Sequence, residues 1–304
     1  MKNANIPILT GYERYPRAIE LQTTSACNAR CIICPHADVS RGLPSGTMDI
    51  DLFRLVVDQI EPSWRTRIIP YLNNEPTLDP FIISRLRYIS YQCPDSDVEL
   101  STNVSGLTPA MQTELSRVRL KELRLSVFGF TEETHRLLMP GLHWREVKQN
   151  LDHLVGNAAL CGRIERLSLV MIDHPLVTDE DIKLAKEYCG LHSISYNLWG
   201  FLDRSGNVAR FSNGICNPAV RGCEQRRPLE RMHITFTGDV ILCCQDWRWT
   251  SVIGNVKNNP LLEIWNSDKY NRYRDGIYAG KGDPPELCKR CKLSLRASLE
   301  RPPD

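Results

Sequence analysis

No stretch of this chain approaches the roughly 20 consecutive apolar residues that a membrane-spanning helix requires. The segment from Met1 to Pro16 is polar, with no apolar run leading to a cleavage site. A membrane-embedded or secreted protein is therefore not expected. Charge of one sign is also missing: 38 Lys and Arg against 36 Asp and Glu leave a net +2, with a pI of about 8.0. That balance is too mild to argue for nucleic acid or an anionic membrane as partner. Internal repeats and low-complexity tracts are absent, which sets aside solenoids and biased linkers. The remaining composition, 42% hydrophobic and 24% charged over 304 residues, is ordinary for a folded chain. It suits one large domain, or a large one and a small one.

Cysteine, by contrast, is abundant, at 12 residues. Many cysteines without a signal peptide favour metal or redox chemistry over a disulfide framework, and predict a cytoplasmic, oxygen-sensitive protein. The densest group is Cys27-Asn28-Ala29-Arg30-Cys31-Ile32-Ile33-Cys34, a CxxxCxxC loop directly after an apolar strand. Three thiolates so close together can hold three irons of a cubic [4Fe–4S] cluster and leave the fourth iron without a protein ligand. A zinc knuckle or unrelated thiols are the alternative on spacing alone. His36 follows the loop but has no evident ligand partner.

Strand and helix patterns alternate from Arg17 to about Trp199. Strands are predicted at Ala18–Thr23, Arg67–Leu72, Val98–Thr102, Leu123–Phe128, Leu167–Ile172 and Ile194–Trp199. Helices are predicted after Asp49 or Asp51 as N-cap, from Pro80 to about Tyr91, after Thr108, over Trp144–Val155 and over Asp179–Tyr188. Six strands alternating with helices imply an α/β fold with a parallel sheet and helices outside it. In such sheets the chemistry sits at the C-terminal strand ends. After Gly200 the pattern changes: Met232–Phe236 and Val240–Leu242 flank Thr237-Gly238-Asp239 as a hairpin, and a helix runs from about Leu261 to Tyr273. The boundary is placed so that 1–207 form the first domain and 208–304 a smaller second one.

The tail holds a second thiol set. Fourteen residues separate Cys223 from Gly238, four separate Gly238 from Cys243, and Cys288-Lys289-Arg290-Cys291 follows. Four thiolates suit a closed site, either tetrahedral zinc or a fully ligated [4Fe–4S] cluster, and spacing does not separate these. Cys216 competes with Cys223 for the fourth position. Cys93, Cys161 and Cys189 fall in or beside helices and read as packing residues.

The CxxxCxxC loop after a strand resembles the signature of the radical S-adenosylmethionine (SAM) superfamily. The order C…GxxxxC…CxxC behind it is similar to the shortened SPASM, or twitch, domain. The resemblance runs from about Ala18 to Cys291. It implies a partial (β/α)6 barrel with a small C-terminal twitch domain, SAM as cofactor and two [4Fe–4S] clusters. One cluster would sit on Cys27, Cys31 and Cys34, with SAM chelated on its open iron. The auxiliary one would sit on Cys223, Cys243, Cys288 and Cys291. Reductive cleavage of SAM to a 5′-deoxyadenosyl radical is implied, fed by a donor such as flavodoxin or ferredoxin. Asn73-Asn74-Glu75-Pro76 stands where the family has Gly-Gly-Glu-Pro facing the SAM amino group, so Asn74 and Glu75 are expected SAM contacts. Asn103 stands near the ribose or carboxylate, and Ser126 where the family has Ser-x-Asp-Gly, with Phe128 replacing the acid. Ile33 would bring its backbone to the adenine.

Cys244 directly follows the hairpin ligand and is left spare by the GxxxxC spacing. It reads either as a buried thiol or as a hydrogen-atom donor, because a thiol S–H is weaker than a sugar C–H. The layout resembles aminoglycoside-pathway members of the twitch subfamily, where the fork is between epimerisation and dehydrogenation. Cys-Cys here leans toward an epimerase acting on an amino-sugar carbon, of the neomycin C to neomycin B type. The alternative is an alcohol dehydrogenase of an aminocyclitol or sugar. A peptide-modifying enzyme is a further alternative, although such enzymes often carry an extra N-terminal domain and the cluster motif here begins at Cys27. Arg204 falls where related enzymes place an Arg-Gly turn at the substrate. Glu20 and Gln22 are candidates to point into the barrel. Asp246 and Trp247 are candidates to pair with an ammonium and to pack on a sugar ring. Anaerobic reconstitution is expected to yield about eight irons and eight sulfides per chain, the content of two cubes; zinc in their place would reduce the chain to a metal-stabilised binding protein.

Overall fold

The computed structural model describes residues 14–211, 216 and 219–296. Six parallel strands appear in chain order: β1 (Ala18–Leu21), β2 (Arg67–Ile69), β3 (Glu99–Thr102), β4 (Leu120–Ser126), β5 (Ile164–Asp173) and β6 (Ser195–Gly200). β1 pairs with β2, and β3 to β6 pair in succession, all in parallel. A bridge between Ile68 and Val98 joins the two runs. This is the expected partial (β/α)6 barrel.

Five further strands follow: β7 (Val220–Cys223), β8 (Arg231–Ile234), β9 (Asp239–Ile241), β10 (Val252–Asn255) and β11 (Ser294–Arg296). β8 lies parallel to β1 on the side away from β2, with Glu20 opposite His233, and β9 and β10 continue it as an antiparallel meander. The C-terminal hairpin is therefore hydrogen-bonded into the barrel sheet. β7 and β11 form a separate antiparallel pair, with Ser294 opposite Cys223.

Successive side chains of a strand face opposite ways, and here the two faces differ in kind. Ile19, Leu21, Ile68, Leu100, Leu123, Leu125, Leu169, Met232 and Ile234 are fully or almost fully buried in the core. The residues between them, Glu20, Glu99, Glu122, Arg124 and His233, form a charged inner face. There Arg124 bonds Glu99 at 2.5 Å, Tyr71 Oη donates to Glu99 at 2.7 Å, and Arg166 bonds Glu122 at 2.6 Å. The barrel lumen is polar because its charges neutralise one another.

The helices start where side chains can cap them. Asp49 rather than Asp51 caps Ile50–Val57, accepting from Asp51 N and Leu52 N. Thr108 caps Pro109–Leu115, and Thr178 with Asp181 forms a capping box on Asp179–Leu191. Trp144–Gly156 matches expectation. The helix expected from Pro80 begins at Ile82, because the Asp79 carboxylate takes the Phe81 N–H. The single helix expected over Leu261–Tyr273 is two, Leu261–Trp265 and Asp268–Arg274: Ser267 breaks it by turning its hydroxyl onto Tyr270 N. A helix at Glu132–Leu138, capped by Thr131, lacks a long apolar repeat and was not expected.

Arg85 is fully buried between Asp79, which it bonds at 2.8 Å, the Met48 carbonyl and the Phe53 ring. Asp79→Ala leaves that guanidinium uncompensated and is expected to cost about 3–5 kcal/mol, read as a lowered urea midpoint; an unmoved midpoint would show that Arg85 finds water or another partner.

Candidate active site

The cysteine loop leaves the C-terminal end of β1. It is held by backbone bonds to the 138–140 turn: Arg30 N donates to the Pro140 carbonyl at 2.6 Å, and Ile32 N to the Leu138 carbonyl at 3.0 Å. Gly141 closes that turn at φ +93, where a Cβ would lie 2.8 Å from the Asn28 carbonyl, so a side chain there would push the loop away. Burial pushes Cys27 up to about 12, and raises Cys31 and Cys34.

A cavity of about 200 Å³ is lined by Cys27, Cys31 and Cys34 together with Ile33, Asn74, Glu75, Asn103, Ser126, Phe128, Arg204 and Trp247. All the candidate SAM-contact residues thus face one space beside the three thiols. Their roles differ in kind. The Glu75 carboxylate accepts from Thr77 N at 3.1 Å, Thr77 Oγ1 at 2.7 Å, Thr102 Oγ1 at 2.6 Å and Asn103 N at 2.7 Å. It ties the loop after β2 to the end of β3, and burial raises its pKa against those four donors. Asn74 accepts from Leu72 N at 3.0 Å and leaves its buried Nδ2 unpartnered. Asn103 bonds Asn28 of the cysteine loop at 3.0 Å, and Ser126 bonds Ser101 at 3.2 Å.

A second cavity, about 470 Å³, shares Cys27, His36, Asn73 and Trp247 with the first and adds Gln22, Arg41 and Trp249. Trp247 stands between the two spaces with its buried indole N–H unpartnered. Trp249 takes φ 52, a strained backbone for a bulky residue. The turn at Arg204 and Ser205 is left-handed at both residues, φ 54 and 57. It is tied to the loop after Cys244: Asn207 Nδ2 donates to the Arg204 carbonyl at 2.8 Å, and Arg248 Nε to Asn207 Oδ1 at 3.1 Å. Asp246 is not available to an ammonium ion. Its Oδ1 accepts from Thr250 N and Oγ1, each at 2.9 Å, and its Oδ2 from Ser251 N at 2.7 Å. It is a buried loop brace.

The structure also brings Cys244 to Glu20 and His233. One ligand atom of each lies within 4.8 Å of the others. Burial alone would push the Glu20 carboxyl up, but His233 and Arg231 hold it down to about 2. Burial likewise opposes a charged His233, but the facing carboxylate, 3.5 Å away, and Cys244 raise it to about 9. The adjacent Cys243 sulfur and burial raise Cys244 above its ordinary value. His233 went unrecognised in the sequence. Its alternation with Met232 and Ile234 is legible, but its partner strand is not.

In the tail, the β7–β11 pair sets Cys223 close to Cys288 and Cys291, whose charges act on one another. Tyr278 lies within reach of the charges of Cys223, Cys288 and Cys243 together. Cys216 is exposed, which favours Cys223 for the fourth position. His36 bonds the Ser25 carbonyl at 2.9 Å. Cys93 and Cys189 are buried packing residues as expected, and half-buried Cys161 donates to the Leu154 carbonyl. Among the described residues, Glu20, His233 and Cys244 form the one trio of potential ligands gathered within 4.8 Å. Both cysteine sets are all-thiol, the donor chemistry that carries a [4Fe–4S] cube.

The buried pair yields a pH prediction. A folded-state value above the unfolded one means that its stabilisation is complete below about pH 6.5 and lost as pH rises through about 9. NMR titration should show the His233 ring protonated to about pH 9. With Glu20→Gln, the ring should titrate well below about 9, because only Cys244 is then left to oppose burial; an unmoved value would exclude Glu20 as the cause.

Residues 21–189 match the family model of the Radical SAM superfamily, and residues 223–292 that of the SPASM iron-sulfur cluster-binding domain. The S-adenosyl-L-methionine-dependent 2-deoxy-scyllo-inosamine dehydrogenase of Niallia circulans is 24% identical over 278 residues, covering 90% of this chain and 91% of that one. The crystal structure of BtrN in complex with AdoMet and 2-DOIA superposes with a TM-score of 0.63 at 18% identity, covering 91% of this chain and 92% of BtrN. Streptococcus suis SuiB bound to its precursor peptide SuiA gives 0.66 at 13% identity, over 93% of this chain and 71% of SuiB. No described helix is long and apolar enough to cross a membrane. The two domains imply SAM and more than one [4Fe–4S] cluster as cofactors, and the chain belongs to the radical SAM superfamily, as an enzyme with a SPASM-type C-terminal domain.

Proposed function

We propose that this enzyme removes a hydrogen atom from a ring carbon of a polar amino sugar or aminoglycoside, and that Cys244 returns one from the opposite side, inverting the carbon. The observation that carries this reading is the Cys244 thiol held at the polar inner face against Glu20 and His233, three residues before Trp247, which lines both cavities. When bound, SAM and its cluster supply the radical that takes the substrate hydrogen. Cys27, Cys31 and Cys34 hold that cluster, and Cys223, Cys243, Cys288 and Cys291 the auxiliary one. Asn74, Asn103, Ser126 and the Ile33 backbone orient SAM, while Glu75 keeps their loops in register. Trp247 and Trp249 offer apolar faces to the C–H side of a sugar ring, and Arg204 offers its guanidinium to hydroxyl groups.

In the return step the S–H bond breaks and a C–H bond forms, leaving a sulfur-centred radical. One electron from a flavodoxin- or ferredoxin-type donor and one proton from solvent restore the thiol. Dehydrogenation of an aminocyclitol or sugar alcohol is the second reading, favoured by the similarity to the Niallia circulans dehydrogenase along 90% of this chain. There the substrate radical would lose a proton to solvent and an electron to an acceptor, which the auxiliary cluster held by Cys223, Cys243, Cys288 and Cys291 would supply, and Cys244 takes no part.

The deciding experiment incubates the anaerobically reconstituted enzyme with SAM, reductant and neomycin C in deuterated water. After back-exchange of labile sites, inversion through an exchangeable thiol adds one mass unit with altered retention, whereas oxidation removes two. Cys244→Ala is expected to form 5′-deoxyadenosine with at least a hundredfold loss of inverted product, about 3 kcal/mol in rate terms. Normal epimerisation by that variant would end the donor assignment.

A further inference from the structure

Arg227 is a buried cation that the mechanism above does not use. It opens the short helix Arg227–Glu230 between β7 and β8, and its residue is 9% exposed. Its Nη1 donates to Cys243 Sγ at 3.9 Å, its Nη2 donates to Gln225 Oε1 at 2.5 Å, and its Nε has no partner. Among the described residues it forms no ion pair, whereas its neighbour Arg231 is paired with Glu20 at 3.0 Å. Arginine keeps its proton in proteins, and a desolvated charge without a counter-ion is costly. The group that faces it is the Cys243 sulfur, a thiolate when it ligates a cluster. A cube carried by four thiolates is net negative, and gains a further negative charge on reduction.

We propose that Arg227 sets the reduction potential of the auxiliary cluster, by hydrogen-bonding the Cys243 sulfur and holding a fixed positive charge against it. Hydrogen bonds to the sulfurs and net local charge are among the factors that tune such clusters. A cation at this distance stabilises the reduced, more negative state and raises the potential. Arg227 thereby makes the auxiliary cluster a better electron acceptor beside Cys244. The inference rests on Cys223, Cys243, Cys288 and Cys291 being the auxiliary ligands.

The test isolates that cluster in the full chain by C27A/C31A/C34A, with iron and sulfide content of about four each expected. An EPR-monitored redox titration then compares Arg227 with R227Q and R227K. R227Q is expected to shift the oxidised-to-reduced equilibrium at least tenfold toward oxidised, a fall of about 59 mV for one electron. R227K keeps the charge but loses the planar fork, and is expected to shift it about threefold, on the same one-electron scale. In whichever variant retains its iron, an unchanged potential overturns the role of Arg227 while leaving the ligand assignment standing. Absence of iron from the triple variant, or a Cys243→Ser chain with an unaltered spectrum, overturns the ligand assignment and the proposal with it.

Discussion

The rest of the molecule depends on the parallel pairing of β1 with β8. β1 is a four-residue strand with β2 on one side and β8 on the other, from Ala18 opposite Arg231 to Leu21 opposite Ile234. Its C-terminal end releases the CxxxCxxC loop. β8 turns through Gly238, at φ +93, into β9, whose end releases Cys243 and Cys244. One ladder therefore fixes both thiol-bearing loops to a common sheet. It also sets Glu20 beside Arg231 and His233, so the interaction that joins the two parts of the chain also builds the polar face beneath Cys244.

That face is viable because it is neutralised internally. Glu99 is shared by Arg67, Arg124 and Tyr71, and Glu122 by Arg124, Arg166 and Ser168. Charges so paired and hydrogen-bonded avoid the full penalty of burial, and their crossing bonds hold β2 to β5 in fixed relation. Polar atoms left over in the cavity walls, such as Asn74 Nδ2 and the Trp247 indole N–H, are donors without a partner in the chain. Glu75 differs: its carboxylate is consumed by chain donors and ties the loop after β2 to the end of β3.

The loop from Gln245 to Ser251 joins these regions. Asp246 braces it from within, Trp247 separates the two cavities, and Arg248 clamps the Arg204 turn through Asn207. The departure from expectation at Asp246 has a plain cause. A carboxylate in a tight loop finds backbone N–H groups within a few residues, and those contacts form before any ligand arrives.

Much was legible in the chain alone because local chemistry decides it. Three cysteines within eight residues, the GxxxxC and CxxC of the tail, and the alternation of strand and helix patterns depend on spacing, and spacing is written in sequence. The start of the helix at Asp49 or Asp51 and the helix from Trp144 to about Val155 followed for the same reason, and the structure chose Asp49 as the cap. The break at Ser267 and the start at Ile82 did not, since both turn on which of two near-equal hydrogen bonds a side chain takes. The tertiary structure alone decided which strand lies beside β1. Strand pairing couples residues about two hundred positions apart, and nothing in the local pattern of either strand encodes the partner. The sequence thus determined the thiol sets and the family chemistry, while the fold decided that Cys244 meets Glu20 and His233 and that Arg227 meets Cys243.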